Sequence, residues 1–202
     1  MSLTEKIVYM DEKKALLLAM IIVAWAFGGH LIIEKGNIEA FILNSVVVVI
    51  AFLPHELAHR YYARKYGCYS RFILDPLGAA ITLMSGFIPF IRIIIPGYVF
   101  ISMPYYDSTY TKKIMGVVSA AGPVVNIVMA IISFIILNTM YQYLSVTLFL
   151  FLLFMTGINA WIAFFNLLPI PPLDGSKIIK WNPVTWGVLF AISITLMFIS
   201  GF

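Results

Sequence analysis

Five stretches of the chain run almost unbroken in apolar residues: 15–33, 41–63, 114–138, 145–167 and 184–201. At about 1.5 Å of helical rise per residue, each is long enough to cross roughly 30 Å of hydrocarbon. Between the second and third lies a different pattern, 68–111. It is apolar too, but Pro76, Pro89, Pro96 and Pro104 cut it into short pieces. "SRFIL" and "GYVFIS" within it are rich in β-formers, and "PLGAAITLMSGF" suits a short helix. Irregular backbone at membrane depth is tolerated only against protein or a water-filled cavity. The region therefore reads as a re-entrant, partly embedded β-like hairpin, with two short extra spans as the alternative. The pattern predicts an all-α polytopic membrane protein of five to six transmembrane helices, forming a single membrane-embedded domain over residues 1–202 in the lipid bilayer.

Composition agrees. The 202 residues are 62% hydrophobic and 11% charged, and the mean hydropathy is +0.99. Such values lie far from soluble globular usage. The net charge of +4 matters less than its placement. Lys6, Lys13 and Lys14 precede the first span, and Arg60, Arg64, Lys65 and Arg71 sit at or beyond the end of the second. Lys112 and Lys113 precede the third, and Lys177 and Lys180 follow the fourth. The positive-inside rule then predicts a multi-pass protein of the cell membrane with its N-terminus in the cytoplasm. These cations read as topology anchors, and no nucleic-acid partner is expected. The first apolar run continues through Ile33, longer than a signal-peptide core, and reads as a retained helix. Cys68 is the one cysteine, which excludes an internal disulfide and a cysteine-rich zinc site.

The second span ends in "AFLPHELAHR" (51–60). Ionisable residues inside a span are costly and mark function. His55-Glu56-Leu57-Ala58-His59 is H-E-x-x-H, which on a helix puts both imidazoles on one face, where they can meet one ion. Glu56, about 100° around the helix from His55, is within reach of a water on that ion. Pro54 lacks an N–H and frees the Ile50 carbonyl, which favours a kink and local wetting.

A hydrolytic zinc takes three protein ligands and a water. No glutamate follows Glu56, and Tyr62 and Lys65 occupy the positions that a longer H-E-x-x-H-x-x-G-x-x-H motif would fill. The remaining candidates are His30, Cys68, Asp75, Asp107 and Asp174. His30 lies near the opposite end of the first span, about 15 Å away in depth by residue counting. Span four ends at "NLLPIPPLDGSK" (166–177), where three prolines stop the helix at the depth of His59. Asp174 is thereby favoured, with Asp75 its first rival and Asp107 the next.

HELAH on one span, "AAGPVVN" (120–126) on a later one, and then "NLLPIPPLDG" (166–175) resemble, in that order, the site-2 protease family of intramembrane zinc metalloproteases. The likeness covers roughly residues 15–180. It implies His55, His59 and Asp174 as ligands of one Zn2+ per chain and Glu56 as catalytic acid and base. It implies Asn166 as a group that binds substrate or the developing oxyanion. Asn126, near mid-membrane, is placed either to hydrogen-bond an exposed substrate backbone or to tie helices together. Many members read LDGG where Ser176 stands here. The chain resembles a short form without PDZ or CBS domains. The resemblance implies cleavage of membrane-protein substrates within or near a transmembrane helix, at a site near the cytoplasmic face. Iron and cobalt also suit a His₂Asp set. A non-proteolytic adaptor and a metal transporter are the competing readings; neither needs Glu56 in register with the histidines.

Overall fold

The computed structural model describes residues 9–88, 92–103 and 108–201. Five long helices carry the apolar runs: α1 (Glu12–Ile33), α2 (Ile38–Lys65), α4 (Ser108–Thr139), α5 (Val146–Leu167) and α7 (Pro183–Ser200). Each is long and apolar enough to cross a membrane, and among the described residues there are five such helices. The architecture is that of an all-α polytopic membrane protein. Observed helices outrun several of the apolar runs because polar residues form their ends. Asp11 caps α1 by accepting from the Lys13 and Lys14 amides, and Asn37 caps α2 through the Ala40 amide. Asn182 caps α7, with Pro183 in its first turn. The third run begins six residues early, in the polar "STYTKK", as α4.

The central position belongs to α5, half of whose apolar window is buried, whereas only 11% of that of α7 is. Around α5 pack α2, α4 and α7, while α1 lies against α2. The core that joins α1, α2 and α5 includes Val23, Phe27, Val47, Ala51, Ile158 and Ile162.

The proline-cut region 68–111 forms β1 (Tyr69–Leu74), α3 (Pro76–Ser85) and β2 (Gly97–Ser102), with the two strands paired antiparallel. Pro89, Pro104 and Asp107 lie outside the described residues. Asp75 caps α3 by accepting from the Gly78 amide at 2.6 Å. The hairpin goes deep. A side chain on Gly29, in the last turns of α1, would lie 2.7 Å from the Gly86 carbonyl just beyond α3. The Trp161 indole of α5 donates to Arg92 O at 3.2 Å, and the Arg92 guanidinium sits over the Phe27 ring at 5.8 Å.

The two edges of the sheet differ. Tyr69↔Ser102 through Leu74↔Gly97 are partners, and the Phe72 amide leaves the sheet to donate to Glu12 Oε1 at 3.0 Å. The same oxygen pairs with Arg60 Nη1 at 3.1 Å. In an antiparallel ladder backbone groups alternate inward and outward. With Phe72 pointing outward, its partner Val99 does too, and so do Gly97 and Ile101 two residues away on either side. The β1 edge is occupied by Glu12, and the outward groups of β2 are Gly97, Val99 and Ile101. Removing the Glu12 carboxylate by Glu12→Ala is expected to cut hydrogen-exchange protection of the Phe72 amide roughly tenfold or more, the scale of a hydrogen bond to a charged group. Unchanged exchange at Phe72 would show that the clip contributes nothing.

Candidate metal centre

The HELAH segment lies in the second half of α2, which continues through Pro54 as helix. His55 and His59 are therefore one turn apart on a single face, 2% and 6% exposed. Opposite them, Asp174 comes from a segment built to place it. Pro169, Pro171 and Pro172 follow α5 and end it, and α6 (Gly175–Trp181) begins immediately after Asp174. An aspartate at a helix N-cap usually spends its carboxylate on the first amides of its own helix. Asp174 makes no such bond. Its Oδ2 lies 3.1 Å from His59 Nε2 and 3.6 Å from His55 Nε2, and Oδ1 pairs with Lys177 Nζ at 3.5 Å. Gly175 permits the approach: a side chain there would collide with the Leu167 and Leu168 carbonyls at the end of α5. Gly116 of α4 has the same role against Trp181, and lets α6 sit close to α4. Burial works to raise the Asp174 carboxyl, but His59, His55 and Lys177 outweigh it and hold the group well below the usual carboxylate range.

The other ring nitrogens set the proton positions. His59 Nδ1 donates to the Val118 carbonyl of α4 at 2.8 Å, and His55 Nδ1 donates to Asn126 Oδ1 at 2.6 Å. A carbonyl oxygen accepts only, so both imidazoles carry a proton on Nδ1, and in the neutral ring Nε2 presents the lone pair. Those two nitrogens face each other at 3.0 Å, with the carboxylate beside them. With both rings neutral, three lone-pair donors converge. Ligands about 2.0–2.2 Å from a tetrahedral ion stand about 3.3 Å apart. The observed separations of 3.0, 3.1 and 3.6 Å fit that spacing, and the donor set suits zinc. Gly122 of α4 completes the cradle, since a side chain there would meet both His59 and His55.

The centre opens on a cavity of about 640 Å³. Glu56, 8% exposed, lines it beside the histidines. So does every residue from Ile94 to Ile101, odd and even alike, so the cavity faces the edge of β2 as well as its side chains. Asn166 lines it too, and its Nδ2 donates to Ile162 O at 3.0 Å. Asn126 does not reach the cavity. Its oxygen accepts from His55, and its Nδ2 donates to Ala51 O at 3.0 Å and to Asn159 Oδ1 at 2.8 Å.

Among the described residues, His30, Asp75 and Cys68 are not members of this cluster. His30 lies in the last turn of α1 near Glu34, Lys35 and Arg92. Asp75 is the cap of α3, although it lines the cavity wall. Burial pushes the Cys68 thiol up, which disfavours a thiolate, and Cys68 packs with Ala63, Ile114 and Val118. Asp107 lies outside the described residues. Three features escape a reading by motif: the Val118 carbonyl, the contact of Gly122 with the imidazoles, and Asn159. The last is legible as an amide seven residues before Asn166, two turns away on one face of an apolar span.

Five apolar helices around a buried His–His–carboxylate cluster define a polytopic membrane protein with a candidate metal centre. A provisionally named zinc metalloprotease of Methanocaldococcus jannaschii is 36% identical over 153 residues, which span 76% of this chain and 77% of that protein. Another of Bacillus subtilis is 34% identical over 67% of this chain and 66% of its own length. No protein-family model matches the chain, and no solved structure matches it at a significant level. The chain belongs to the site-2 protease family of zinc metalloproteases.

Gly122→Ala is expected to displace the imidazoles and lower zinc affinity about tenfold or more, the scale of lost ligand positioning. Chelator competition on purified protein measures it. Wild-type affinity in that variant would show that α4 yields at no cost.

Proposed function

We propose that the chain is an intramembrane zinc endopeptidase that hydrolyses peptide bonds in or near transmembrane segments of membrane proteins. The observation that carries this reading is the placement of Glu56 and the three convergent donors on one cavity, walled by the edge of β2, inside a bundle of apolar helices. His55, His59 and Asp174 hold the ion. Zinc, when bound, supplies a Lewis acid that acidifies a water and polarises a carbonyl. Glu56 accepts the proton of the attacking water and delivers it to the amine nitrogen as the C–N bond breaks. Asn166 uses one amide hydrogen on Ile162 O and offers the other to the oxyanion that develops on the scissile carbonyl.

A transmembrane substrate hides its peptide groups in its own helical hydrogen bonds. It must unwind to be cut, and each freed group then costs several kcal/mol in hydrocarbon. The outward groups of β2 at Gly97, Val99 and Ile101 offer replacement bonds by strand addition. The basic flanks of the spans support a cytoplasmic N-terminus, a location in the cell membrane and a catalytic centre near the cytoplasmic face.

Purified protein, assayed for bound metal and for cleavage of a model membrane-spanning substrate, tests the reading. Glu56→Ala should keep zinc and lose roughly 10²-fold or more in rate, the scale of a general base. His55→Ala and Asp174→Ala should lose the metal. Normal cleavage by Glu56→Ala would overturn the mechanism. For the strand, Val99→Pro removes an outward amide and is expected to abolish cleavage of a membrane-spanning substrate while zinc stays bound. Undiminished cleavage would remove β2 from the account.

A further inference from the structure

Asn159 lies on α5, fully buried, and is not part of the cavity wall. Its Nδ2 donates to Met155 O in the preceding turn at 2.8 Å, which leaves its oxygen facing Asn126 Nδ2 at 2.8 Å. We propose that Asn159 is a positioning residue that fixes the proton on His55 through Asn126 and so keeps the His55 Nε2 lone pair available to a metal ion. The proposal rests on the metalloprotease reading above.

The two ends of an amide are nearly the same shape but opposite in hydrogen bonding. Asn126 can in principle present either end to His55. With its NH₂ group there, Nδ1 must become the acceptor and the imidazole proton moves to Nε2. That proton would then occupy the lone pair aimed at His59 and Asp174. What decides between the ends is whatever meets the far side of the amide. Two oxygens do, Ala51 O at 3.0 Å and Asn159 Oδ1 at 2.8 Å, and a flipped Asn126 would turn its own oxygen against both. Asn159 is in turn oriented by Met155 O, a backbone carbonyl that cannot flip. The order therefore runs from the α5 backbone through Asn159 and Asn126 to His55, across three helices. Asn126 and Asn159 are 0% exposed and His55 2%, so solvent does not stand in for a missing member.

The test uses the full chain in detergent, stripped of metal and titrated with cobalt(II), followed by its visible bands, and with zinc by chelator competition. Asn159→Leu, close in shape but without the oxygen, should weaken both metals about tenfold or more. Asn159→Asp should stay within about threefold of wild type, because a protonated carboxyl donates to Met155 O and keeps an oxygen toward Asn126. With Asn126→Leu already present, adding Asn159→Leu should cost nothing more, since its action passes through Asn126. Wild-type affinity in Asn159→Leu, or losses that add in the double variant, would overturn the proposal. A readout that needs no variant is ¹⁵N NMR of histidine-labelled, metal-free protein at a pH where His55 is neutral: the ring should carry its proton on Nδ1, and the tautomer protonated on Nε2 alone would overturn the proposal equally. If wild type binds neither metal, or His55→Ala binds as wild type does, the metalloprotease reading fails and this inference with it. Metal binding that needs His55 but ignores Asn159 removes the inference alone.

Discussion

Two imidazole nitrogens and a carboxylate oxygen stand about as close as hydrogen-bonded atoms, and in the neutral rings the outer bonds place each proton on Nδ1, away from the cluster. Lone pairs gathered in this way repel one another, and a buried charge needs compensation. Much of the surrounding fold serves to hold that unfavourable arrangement in place. The Val118 carbonyl and Asn126 turn the rings, Gly122 lets α4 lie against them, and the proline loop brings Asp174 up from below. A cation converts the repulsion into coordination.

The helical hairpin between the strands shows how a membrane protein keeps irregular backbone near its chemistry. The loops around α3 are not exposed to hydrocarbon on every side. Thr82 and Ser85 donate to backbone carbonyls, and the Ile93 and Ile95 amides return bonds to the same hydroxyls. Trp161 and Phe27 hold Arg92 from two different helices. With these backbone groups satisfied internally, the element can bring a strand edge to the cavity.

Much of this was legible in the residues. Apolar length located the five helices, β-forming composition located both strands, and Pro76 after Asp75 marked the start of the short helix. Depth counting favoured Asp174 before any distance was known, because the prolines after Asn166 stop α5 at the level where HELAH ends. The interhelical bonds were not legible. Residue counting gives depth along a span but not rotation about it, so it left Asn126 between two roles. Only packing reveals that its oxygen meets His55 and its amide meets Asn159. The dual contact of Gly122 is hidden for the same reason: a small residue signals close approach without saying to what.

The clip formed by Glu12 has a consequence for turnover. With one edge of the sheet closed by a side chain, β2 offers a single berth. If substrate binds there, the newly cut segment occupies the same place as the next uncut one. Departure of product then becomes a condition of each cycle, and a segment that pairs too well along Gly97–Ser102 would slow the enzyme rather than help it. Under the strand-addition proposal, the segments cut fastest would be those that hold the strand only loosely.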